Sequence, residues 1–147
     1  VTWDASAQDD RRGTDPLEVL VDAHSRRLRW NVAAALSVVV AVVGLVVYDV
    51  PSLVRGAAAS PDPYWLVLGS FASDVLAFVA AFGAVRGQRW GVVLLLVVNT
   101  YWFLQAITGL LAAADVGATA FSAVMLVVHV VTVWLCLSRG RVAAAAG

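Results

Sequence analysis

Cysteine occurs once in these 147 residues, at Cys136, so no internal disulfide can form. The two histidines, His24 and His129, show no zinc-site spacing with it. Lysine is missing: all ten basic residues are arginines. Beside so much alanine and valine, that bias is what a GC-rich genome produces. Charged residues make up only 14% of the chain, against about 25% in an ordinary soluble protein. The ten arginines cancel ten acids, and the net charge is zero. These shortages exclude a disulfide scaffold, a basic nucleic-acid binder and a disordered chain. Also missing are a glycine-rich phosphate loop, a nucleophile elbow and a paired metal-binding motif. The expectation is therefore a non-enzyme that uses no metal and no cofactor.

What the chain has in excess is apolar surface. Hydrophobic residues make up 61% of it, where soluble domains sit near 45–50%. Four apolar runs stand out, at about 30–48, 64–85, 90–111 and 119–137. Each has roughly the 20 residues that a helix needs to cross the hydrocarbon core. Strands that long are excluded by the same measure. The expected fold is an all-α membrane protein, a four-helix transmembrane bundle with short loops over 30–138. Asp49, Pro51, Ser52, Arg55, Pro61 and Asp62 read as the first loop. Arg86 to Arg89 read as a tight second turn, and Asp115 with Gly117 as the third.

Residues 1–29 read as a polar tail followed by an amphipathic helix. Asp15 is placed to cap it and Pro16 to occupy its first position. Leu17, Leu20, Val21, His24 and Leu28 share one face, and Asp22 and Arg26 form a favourable pair one turn apart. This helix either lies on the membrane surface or extends the first span. Residues 139–147 read as a cytoplasmic tail.

Arginine counting sets the orientation. Arg11, Arg12, Arg26, Arg27, Arg29, Arg86, Arg89, Arg139 and Arg141 fall on one side of a four-span topology. Only Arg55 falls on the other. Both termini are expected in the cytoplasm, with the chain in the plasma membrane and the lipid bilayer as its first partner.

Depth singles out three residues. Counted from the nearest cytoplasmic arginine at 1.5 Å per residue, Asp74, Asn99 and His129 lie roughly 15–18 Å in, near the bilayer midplane. An acid there costs on the order of 2.5–3.5 kcal/mol on insertion scales, so it should face the interior and find a partner. Asn99 and His129 are the candidates at that depth. Ser70, Ser73, Gln105 and Thr132 line the neighbouring faces. Asp74 with His129 reads either as a proton relay or as a structural pair fixing helix register. His24 lies too far from His129 in depth to share a haem or a metal with it.

In the first span Ala34, Ser37, Ala41, Gly44 and Tyr48 form a stripe of mostly small residues, which lets helices approach closely. The third span has two polar stripes, one through Asn99 and one through Tyr101, Gln105 and Thr108. The second either meets a second copy or a larger membrane complex, or simply nears the outer headgroups. The leading functional expectation is a non-enzymatic accessory or scaffold subunit of a membrane assembly. The alternative is an ion- or proton-coupled transporter or channel component using Asp74 and His129.

Overall fold

A computed structural model describes residues 16–56 and 63–138. The expected tails, the Asp15 cap, Pro61 and Asp62, and Arg139 and Arg141 lie outside these residues. Helix α1 spans Pro16–Gly44 and passes through a wide turn, Leu45–Asp49, into α2, Val50–Arg55. Then come α3 (Tyr64–Val85), α4 (Arg89–Ala112) and α5 (Val116–Leu137). Four helical stretches are long and apolar enough to cross a membrane, the first being α1 continued through α2. That pattern suggests a multi-pass membrane protein.

The helices form a ring. α1 packs on α3 and α5, α4 packs on α3 and α5, and α1 meets α4 only lightly across the middle. α1 and α3 run antiparallel, since Arg27 lies by Gly87 at one end and Gly44 lies by Asp74 further along. Small residues make this closeness feasible. Ala34, Ala80, Ala81 and Ala84 pack with Val92 and Leu95, with Trp30 and Cys136 against them. A second cluster joins Ala41, Ala77, Val98 and Trp102. Valine, leucine and phenylalanine cover the outer faces, as at Val39, Leu76, Phe82, Val93 and Val130.

The turn between α3 and α4 is a fitted cap. Gly87, at φ 76°, donates its N–H to Ala84 O, and Gln88 donates to Gly83 O, both at 2.9 Å. This doubly bonded end favours glycine in the left-handed region. α5 begins earlier than the apolar pattern implies, at Val116 rather than near 119. Asp115 explains it: its carboxylate accepts from Ala118 N–H at 2.8 Å, and its carbonyl accepts from Thr119 Oγ1 at 2.9 Å.

The N-terminal amphipathic segment is one continuous helix with the first span, Pro16–Gly44. Within it Arg26 donates to Asp22 at 2.6 Å.

The far end of the first span corrects the sequence reading. Asp49, Pro51, Ser52 and Arg55 are helical and do not form a loop. Proline lacks an N–H, and its ring crowds the carbonyl four residues earlier. Around Pro51 the chain answers by widening rather than stopping. The N–H of Val50 reaches back five residues to Leu45 O, which is the bonding of a π-type turn. One residue more than usual is thereby fitted into the turn. The inward face runs Ala34, Ser37, Ala41, Gly44 and then Asp49 and Ser52, which are 0% and 2% exposed. Tyr48, expected on that stripe, is 39% exposed.

Candidate functional site

Two polar clusters lie inside the ring. The first is a junction centred on Asn99 of α4. Its Nδ2 donates to Ser37 Oγ of α1 and to Leu95 O of its own helix, both at 2.9 Å. Both amide hydrogens are then committed, so Oδ1 faces His129 of α5. Only an N–H can meet that oxygen, which makes His129 Nδ1 the donor, at 3.2 Å. Ser37 Oγ donates in turn to Ala33 O at 2.9 Å. Three helices are tied through one side chain, and the donors of Asn99 and Ser37 are all used. Such a network rigidifies a core. The His129 ring also packs on Trp102, with centroids 5.6 Å apart.

The second cluster was not visible as a cluster in the sequence. Asp49, brought inward by the wide turn, is a close neighbour of Asp74 of α3. Asp74 is 2% exposed. Both oxygens of Asp49 and Oδ2 of Asp74 have no N–H or O–H partner elsewhere in the described residues. Gly44 makes the room: a Cβ there would sit 2.8 Å from Asp74 Oδ2. Tyr101 of α4 stands within electrostatic range of Asp49. Its hydroxyl accepts from Gln105 Nε2 at 3.0 Å and lies over Gly69.

Asp74 thus makes no hydrogen bond to Asn99 or His129, the partners its depth suggested. Ser73, next to Asp74, is turned to α4 instead: it accepts from Trp102 Nε1 at 2.8 Å and donates to Ser70 O at 2.7 Å. Among the described residues no arginine forms an ion pair with either acid. Arg29, whose Nε and Nη2 are also buried without partners, is about five turns away along α1.

The remaining candidates sit apart. Ser70 is buried and serves through its carbonyl. Thr132 is buried and donates to Val128 O at 2.8 Å within α5. Gln105 bonds within α4, as does Thr108, which donates to Gln105 O at 2.8 Å. Cys136 is half-buried and free. No group of three or more metal-binding side chains occurs among the described residues. Asp49 and Ser52 were missed, although a signal was present: Pro51 interrupts the apolar stripe just where the face would pass to Tyr48.

Compared with protein-family models, curated proteins and solved structures, the chain matches none.

Proposed function

We propose that the chain is a multi-pass plasma-membrane protein that works as an ion- or proton-coupled component of a transporter or channel. One observation carries this reading: two buried acids, Asp49 and Asp74, are close neighbours, and among the described residues no counter-charge pairs with either. Burying an uncompensated charge costs several kcal/mol after relaxation. Acids placed so in a membrane bundle mark ion or proton pathways. Relative to the sequence reading, the partner of Asp74 becomes Asp49, and His129 passes to a structural role at the Asn99 junction.

The test is flux into proteoliposomes under proton, sodium and potassium gradients. The expected result is cation flux by the wild type that falls to the protein-free background in Asp49→Asn, with folding retained. Wild-type protein silent under every gradient would overturn the reading.

The accessory or scaffold role stands as the second reading. It is favoured by the Asn99 junction, whose bonds tie three helices together. The Tyr101, Gln105 and Thr108 stripe satisfies itself within α4, so it calls for no second copy or larger complex by its chemistry. As to orientation, the nine-to-one arginine split supports cytoplasmic termini with Arg55 outside. Reporter fusions should read Gly147 in the cytoplasm and Gly56 outside, and an extracellular Gly147 would overturn that assignment.

A further inference from the structure

We propose that Arg29 anchors a phosphate site at the arginine-rich end of the bundle, and that its occupant is the headgroup of an anionic phospholipid. The site depends on the membrane reading but not on Asp49 or Asp74.

Arg29 begins the inward face of α1. Ala33 and Ser37 follow it at one-turn steps, and both are 0% exposed. An arginine that serves only to anchor a span end buries its stem and leaves its charged head in water. Arg29 does the reverse with part of its head. Its Nε and Nη2 are buried and meet no acceptor, although the residue as a whole is partly exposed. These two nitrogens are neighbours on one edge of the guanidinium. Their N–H bonds run side by side, which is the fork that grips two oxygens of one carboxylate or phosphate. Charged donors left without an acceptor are costly, and a single oxyanion satisfies both.

No acid among the described residues fills that role. Their only ion pair joins Asp22 to Arg26. Arg27 lies beside Gly87 in the α3–α4 turn. Arg86 lies over the Phe82 ring at 4.0 Å, and Arg89 opens α4, exposed. Positive charge therefore gathers at this end, and it favours an occupant with net negative charge.

The source of the phosphate follows from depth. Arg27 beside Gly87 sets this stretch of α1 level with the α3–α4 turn, where two spans end. The exposed rings of Trp90 and Trp134 stand toward the same end, at the level where amphipathic rings meet headgroups. A phosphate at that level is carried by the lipid itself. The donor edge reaches it by turning the last bonds of a long, flexible side chain.

The test is native mass spectrometry of the full chain in neutral detergent. It is titrated with phosphatidylglycerol or with phosphatidylcholine, which carries the same phosphate without net charge. The wild type should retain phosphatidylglycerol in preference and melt at a higher temperature with it, a check that needs no variant. Arg29→Gln should weaken retention roughly thirtyfold, through loss of the charge-assisted fork. Arg29→Lys keeps the charge without the fork and should restore little of it. Arg27→Gln removes the same charge from an exposed position and should cost about fivefold. Equal retention of the two lipids by the wild type, or equal losses in Arg29→Gln and Arg27→Gln, would overturn the site. Protection from melting by inorganic phosphate as strong as that by phosphatidylglycerol would overturn the lipid as its occupant. Lipid preference without any cation flux would sink the transport reading alone, and flux without lipid preference would sink this one alone.

Discussion

Gly91→Ala is expected to destabilise the bundle by about 3 kcal/mol, the upper end of the usual overpacking cost. A Cβ at Gly91 would fall on the backbone of α3, onto Ala84 N and the Gly83 carbonyl carbon, and 2.7 Å from Gly83 Cα. Flexible side chains can step aside, but these atoms cannot. Both are held by the cap that Gly87 and Gln88 place on α3. Gly109→Ala is the matched control. Its new methyl would lie 3.0 Å from Ser122 Oγ, and a serine can rotate away. Thermal unfolding in detergent should show a large drop for Gly91→Ala and a small one for Gly109→Ala. Equal melting of the two would mean that α3 and α4 do not approach this closely.

Asp74→Asn should separate stability from function. The amide is nearly isosteric, so the cavity against Gly44 stays filled. Its N–H can donate to the neighbouring Asp49. Removing one of two uncompensated buried charges should leave the fold as stable as the wild type or more so, by on the order of 1 kcal/mol. Flux should nevertheless fall to background, because an amide neither binds nor releases a proton. This is the usual trade between a strained site and a stable fold. Detergent melting beside proteoliposome flux checks both halves. A marked loss of stability would make the carboxyl itself structural, and unchanged flux would remove Asp74 from the path.

Much of this arrangement was legible from residue order. Span length and loop chemistry pointed to four helices, and depth drew attention to Asp74, Asn99 and His129. All three are buried. What depth cannot supply is azimuth. Asp74 and Asn99 lie on neighbouring helices, yet Asp74 turns toward α1 while Asn99 bridges α1 and α5. The small stripe Ala34, Ser37, Ala41 and Gly44 followed the ordinary helical period, and its burial agrees. Beyond Gly44 the period itself changes, so extrapolation selected Tyr48 where the chain presents Asp49. An aspartate and a proline close together also look like the end of a helix. Here the proline widens the turn and the aspartate, pointing inward, finds a second acid.

The wide turn at Leu45–Asp49 behaves as a single inserted residue absorbed without leaving the helix. Its consequence concerns ancestry. A descendant of the same bundle without the insertion would keep the two acids paired only if its first-span aspartate stood four places after the glycine, not five. Position-by-position comparison of two such chains would set that aspartate against Tyr48 and miss their shared site. Opening a one-residue gap between Gly44 and Asp49 would bring the acids back into line.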